Sequence, residues 1–172
     1  MKFSQKIAAT LSVLSAVALA SGFLASSASA QTVPTRGMDG SYVGAGVAAG
    51  LNEDTDIGGN IQGRVDLPVA PVSVRGAVLF SDDNSAIMPL LTYDLPVARN
   101  TNVYAGAGYS FVENDGRGTP LGNQDSVVLT TGVESSVLRN LVLYGDVKLG
   151  IDAFQNNSNA AVSLQAGAGY RF

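Results

Sequence analysis

The side chains here that could do chemistry are four bases and four acids. Arg64, Arg75, Lys148 and Arg171 stand against Asp66, Asp94, Glu134 and Asp146, scattered among Gly, Ser, Thr and Gln. Carboxylates can serve as general acids and bases, but histidine and cysteine are both absent. That excludes Ser-His-Asp triads, histidine zinc sites and histidine bases, as well as disulfides and thiolate metal sites. Asp54-Thr55-Asp56 lacks the rest of a calcium loop. Gly44–Gly50 is glycine-rich but no helix follows it, so it cannot cradle a phosphate. No catalytic residue, metal or cofactor is expected. A sparse, balanced, arginine-leaning set instead suits ion pairs in a closed space, where an unpaired charge is costly. A solvated surface would carry more lysine and glutamate.

All eight charges fall at one parity of segments that alternate at period two, the signature of β-strands. The last segment shows it best. In Ala160–Phe172, Ala160, Val162, Leu164, Ala166, Ala168, Tyr170 and Phe172 are apolar, while the intervening residues are small or polar. Seven more segments precede it, at Ser41–Leu51, Ile57–Leu67, Val72–Phe80, Ala86–Leu95, Asn102–Val112, Ser126–Val137 and Leu141–Asp152. Each is near the nine to eleven residues, roughly, that a tilted strand needs to cross a bilayer. Pro89 interrupts the fourth, so a bulge is expected there. Met88 and Leu90 blur its polar face. Asp-Leu-Pro-Val-Ala closes two even-numbered strands, at Asp66–Ala70 and Asp94–Ala98, and a Tyr/Gln-x-Gly-Ala-Gly unit begins at Tyr42, Tyr104 and Gln165. Such repetition fits an up-and-down meander of hairpins. Polar, acidic connections alternate with shorter ones.

Alternation yields two faces without saying which is buried. The apolar face carries no charge on any strand, and a cation facing lipid costs roughly 2–4 kcal/mol at the bilayer midplane. Its aromatics also sort into two bands. Phe80, Tyr109 and Phe111 lie toward one end, and Tyr93, Tyr170 and Phe172 toward the other. That is the girdle pattern of a membrane barrel, and a soluble core gives aromatics no reason to avoid the middle. The expected fold is all-β: an eight-stranded antiparallel up-and-down transmembrane β-barrel with a lumen ion-pair network of the eight charges. Inward glycines would leave room for long side chains crossing the lumen.

Residues 1–30 read as a cleavable signal peptide. Lys2 and Lys6 precede an apolar run from Ile7 to about Leu24, and Ala28-Ser29-Ala30 offers a cleavage site. A flexible leader is expected over 31–39 and the barrel over 40–172. Without Lys2 and Lys6, the 10 basic residues become 8 against 14 acidic, which argues against nucleic acid as a partner. The acidic loop residues Glu53, Asp54, Asp56, Asp82, Asp83, Glu113, Asp115 and Asp125 read foremost as solvated turns; cation bridging to anionic headgroups, or an adhesive surface, is the functional alternative.

From the signal segment, strand count, alternation and the final Gly-Ala-Gly-Tyr-Arg-Phe, the chain resembles the small eight-stranded outer-membrane barrels of bacteria. It is similar to the barrel domain of outer-membrane protein A and to outer-membrane protein X, within the wider porin family. The resemblance covers about Gly40–Phe172. It implies an integral protein of the cell outer membrane, a monomer among lipids with anionic headgroups, whose last strand is recognised by the barrel-assembly machinery. Leu164, Tyr170 and Phe172 match that assembly signal. An eight-stranded barrel is just wide enough for side chains to fill. The expected role is therefore non-enzymatic, in envelope integrity or surface interaction. The alternatives are a narrow low-conductance channel for small solutes and, inverting the faces, a soluble lipocalin-like binding barrel.

Overall fold

The computed structural model describes residues 37–51, 57–67, 70–82, 84–113, 117–155 and 159–172. The segment expected to be a signal peptide, residues 31–36 of the expected leader, and Glu53, Asp54, Asp56, Asp83 and Asp115 lie outside them. Among the described residues the elements are eight strands, β1 Tyr42–Gly50, β2 Ile57–Leu67, β3 Val72–Phe80, β4 Ser85–Ala98, β5 Thr101–Val112, β6 Ser126–Ser136, β7 Leu141–Ile151 and β8 Ala161–Arg171. Every neighbouring pair is antiparallel, and β8 pairs with β1, so the sheet closes in chain order as an up-and-down barrel. Closure leaves no strand edge with unpaired backbone groups, a requirement for any sheet surrounded by hydrocarbon.

The faces are sorted as the alternation demands. Val47, Ile57, Val65, Ile87, Leu91, Leu129 and Leu143 point outward and are exposed, while Arg64, Arg75, Glu134 and Lys148 are at most 2% exposed. A soluble barrel of lipocalin type would need the reverse. The connections β2–β3, β4–β5 and β6–β7, two to four residues each, lie at the end of the barrel where β1 begins and β8 finishes, the short-turn end. The other four, of which all but β3–β4 are longer, lie at the opposite, long-loop end. Asn100 closes the β4–β5 turn with φ of 64°, a left-handed conformation that Asn tolerates better than most residues.

Three expectations need correction. There is no bulge at Pro89. Pairing with β5 skips Met88 and Pro89 but resumes in the same register, and the shift falls instead between Pro96 and Ala98. Pro89 points outward, where its missing N–H interrupts the ladder without adding a residue. The described part of the expected flexible leader is anchored, since Met38 is 2% exposed inside the barrel mouth. Arg171, finally, stands outside the lumen ion pairs.

Candidate functional site: a stoppered lumen

The lumen is built in storeys. Nearest the short-turn end is the charged one. Arg64 and Arg75 face each other across β2 and β3, a like-charge pairing that is unfavourable alone. Two carboxylates resolve it. Asp94 receives Arg64 at 2.9 Å on one oxygen and Arg75 at 3.0 Å on the other. Glu134 does the same, at 3.3 Å and 2.8 Å. Asp66, nearer the mouth, takes Arg64 at 3.0 Å. Hydroxyls complete the donor sets, with Arg64 Nε donating to Ser73 at 2.8 Å and Arg75 Nε to Thr92 at 2.9 Å. Ser73 also donates to Asp94. Charge-assisted bonds with this planar fork geometry are what arginine supplies and lysine does not.

Three tyrosines cross the barrel from the strand positions paired with Arg64, Asp94 and Glu134, and their hydroxyls reach further in. The Tyr42 hydroxyl accepts from Gln62 at 3.0 Å and from Arg75 at 3.1 Å. Tyr144 donates to Asn60 Oδ1 at 2.6 Å, and Tyr104 donates to Asp146 at 2.8 Å. Asp146 also holds Lys148 at 2.5 Å, an ion pair separate from the arginine cluster. Glycines make this possible. A Cβ at Gly44 would sit 2.9 Å from Tyr144 Cε1, at Gly169 2.9 Å from Tyr42 Cδ2, and at Gly132 2.7 Å from Tyr104 Cζ. The recurring Gly-Ala-Gly units put their glycines at the inward parity, and on β1 and β8 they face each other, Gly44 with Gly169 and Gly46 with Gly167. The tyrosines shared the polar parity in sequence, but only their placement over paired glycines gives them a role. Around Lys148, the side-chain polar atoms of Thr130, Ser163 and Gln165 have no protein partner.

The storey toward the long loops is apolar. Ala48, Ala77, Leu79, Met88, Leu90 and Val128 fill it. Met88 and Leu90, which blurred the polar face in sequence, are here because the lumen itself turns apolar at that level.

Both mouths are stoppered from outside the strands. At the long-loop end, Thr119 and Gly122 exchange backbone hydrogen bonds of 2.8 and 3.0 Å. That turn folds Leu121 against Ala153 and the apolar storey. At the other end, Met38 packs on Tyr42, Val142 and Tyr144. The Asn102 side chain clamps its backbone, accepting from Met38 N–H at 3.0 Å and donating to Met38 O at 2.8 Å. Neither stopper was visible in sequence, because neither segment is periodic.

The other sequence-derived residues are placed as follows. Arg171 donates to the backbone carbonyls of Asp39 at 3.3 Å and Arg139 at 2.8 Å. It is the last inward position of β8, paired with Tyr42, and Asp94 and Glu134 are already taken by Arg64 and Arg75. Phe80, Tyr93, Tyr109, Phe111, Tyr170 and Phe172 are all outward and exposed, as is Leu164. Tyr109 and Phe111 pack at 4.9 Å between ring centroids. Among the loop acids that are described, Glu113 accepts from Ser85 at 2.6 Å and Asp125 from the Val112 N–H at 2.8 Å. Among the described residues no group of three or more His, Cys, Asp or Glu is arranged to hold a metal ion.

A closed eight-stranded sheet, apolar outside and ion-paired inside, defines a small transmembrane β-barrel. No protein-family model and no curated protein matches the chain. Solved structures do. Neisserial surface protein A is similar at 19% identity with a TM-score of 0.56, over 78% of this chain and 98% of that one. Ail, the attachment invasion locus protein of Yersinia pestis, in complex with the heparin analogue sucrose octasulfate, is similar at 15% identity, TM-score 0.52, over 78% and 100%. The de novo designed barrel TMB2.3 matches at 20%, TM-score 0.53, over 78% and 96%. The structural neighbours are thus small eight-stranded outer-membrane barrels and a designed membrane barrel. At these identities the likeness is one of fold, and a fold hosts many functions.

Proposed function

We propose that this chain is an integral protein of the bacterial outer membrane, non-enzymatic and monomeric, with its lumen closed to solute. On this reading it supports envelope integrity and presents its long loops for surface interaction. The observation that carries it is the pairing of an apolar, exposed outer wall with a lumen blocked at four levels: Met38, the arginine cluster, the tyrosines and the apolar storey under Leu121. Such filling weighs against the narrow channel. The surface role draws support from the neighbour whose name includes attachment and invasion. Leu164, Tyr170 and Phe172, outward on β8 and just beyond it, are the proposed assembly signal, and the two aromatic bands the proposed girdle.

Extraction and conductance test the proposal. The protein is expected in the detergent-extracted envelope fraction, with a gel band that shifts on heating. In planar bilayers it is expected to leave the membrane insulating. Recovery in the soluble periplasm would overturn the membrane reading, and steady single-channel steps would overturn the closed lumen.

A further inference from the structure

Near the short-turn end, where β7, β8, β1 and β2 lie side by side, the outer wall is hollowed into a groove of about 730 Å³. Its floor is Ala45 and Ala168, paired across β1 and β8. Ile61, Leu141 and Tyr170 line it, and Arg139 of the β6–β7 turn stands at its rim. That turn is held firmly. Leu138 and Leu141 exchange backbone hydrogen bonds of 3.3 Å each, Arg171 donates to Arg139 O at 2.8 Å, and Asn140 donates to Arg171 O at 3.0 Å. Among the described residues, neither Arg139 nor Arg171 has a carboxylate within ion-pair distance. Arg99 and Arg139 sit in the connections at the short-turn end, with Asp39 of the entering segment nearby, while Asp82, Glu113, Arg117, Asp125 and Asp152 lie in the connections at the other end.

An apolar hollow ending at a guanidinium group without a carboxylate partner, that of Arg139, complements a molecule with a hydrocarbon tail and an anionic head. We propose that this groove holds one anionic phospholipid of the leaflet at the short-turn end. Its acyl chain runs over Ala45 and Ala168, and its phosphodiester meets Arg139, whose turn Arg171 holds in place. Arginine's planar fork suits two phosphate oxygens at once, and the small floor residues let the chain lie closer than ordinary boundary lipid. The inference rests on the membrane-spanning reading above.

Native mass spectrometry of the full, folded barrel released from micelles containing phosphatidylglycerol tests it. One lipid is expected to stay bound. Arg139→Gln should weaken retention by about fivefold, the worth of one cation beside an anionic membrane. Ala168→Leu should abolish retention by filling the hollow. Ala107→Leu, outward on β5 and remote from the groove, should leave it unchanged. The heat-shifted gel band checks that each variant is folded. The proposal is overturned if no lipid is retained, if retention ignores both Arg139→Gln and Ala168→Leu, or if a second copy of the chain occupies the face as a dimer. A protein soluble without detergent would instead overturn the membrane reading itself, so the two failures are distinguishable.

Discussion

The guanidinium carbon of Arg75 lies 3.7 Å from the centroid of the Tyr104 ring, and the hydroxyl of that tyrosine donates to Asp146. Tyr104 therefore joins the two ion-paired groups of the lumen. On one side is the square of Arg64, Arg75, Asp94 and Glu134; on the other, Asp146 with Lys148. Cation–π attraction strengthens where water is excluded, and Tyr104 is buried. One residue thus holds a cation on its face and an anion at its tip.

Arg75 is the member of this cluster whose loss should cost most. Removing it strands Asp94 and Glu134 beside a single arginine and uncovers the Tyr104 ring. Breaking a buried pair costs about 3–5 kcal/mol, so Arg75→Ala should lower the urea midpoint for unfolding from lipid vesicles by that equivalent, followed by the heat-shifted gel band. Arg75→Lys should recover only part of the loss, because an ammonium cannot serve Thr92, Asp94, Glu134 and the ring together. Equal stability of wild type and both variants would sink the idea of a closed ionic storey.

Gly167 and Gly76 contrast by direction. A side chain at Gly167 would collide with the Tyr144 hydroxyl and with Ala45 O, whereas Gly76, which points outward, has nothing within 4 Å of an added Cβ. Gly167→Val should therefore abolish the folded band. Gly76→Ala should keep it and raise stability by about 0.5–1 kcal/mol, since alanine has less freedom to lose on folding. If both substitutions behave alike, the tyrosine storey is not packed on glycine.

Period two made the strands legible. The strand count and the outward faces of β1 to β8 follow from residues such as Val43, Ala45 and Val47, which alternate with Gly44 and Gly46. The partners of Arg64 were less legible. Asp94 lies 30 residues away, and only the β2–β3–β4 register brings it near. Met38 and Leu121 were invisible because a stopper from an aperiodic segment has no pattern, and its burial depends on a mouth that many strands build together. Pro89 misled because proline's lost hydrogen bond can be absorbed by a local gap in pairing as well as by a bulge.

Asn102 is the fastening of the short-turn stopper. Its amide makes two hydrogen bonds to Met38 and a third, at 3.3 Å, to Glu134. Asn102→Ala should release the segment around Met38 and destabilise the barrel by about 1–3 kcal/mol through the buried groups left unpaired. The specific readout is local. In a Met38→Cys background, which introduces the only thiol in the chain, labelling by a water-soluble maleimide should be slow and should accelerate at least tenfold when Asn102→Ala is added. Rapid labelling of the single variant would show that the clamp does not hold.

The outward face can be tested by depth. Leu129 lies inside β6, two residues from its midpoint Thr131 and opposite Ala107 and Leu149, and Leu138 is exposed in the β6–β7 turn. Both side chains are exposed, so in water an arginine would be tolerated at either. In a bilayer the two positions separate. An arginine costs about 2–4 kcal/mol at the midplane and about 0–1 near the interface. Leu129→Arg should therefore shift the urea midpoint for refolding into vesicles strongly, and Leu138→Arg hardly at all. A flat response at both positions would mean that no hydrocarbon surrounds β6. The ionic lumen would then need another explanation, since charges are moved inward at this energetic cost only when the outside is less hospitable still.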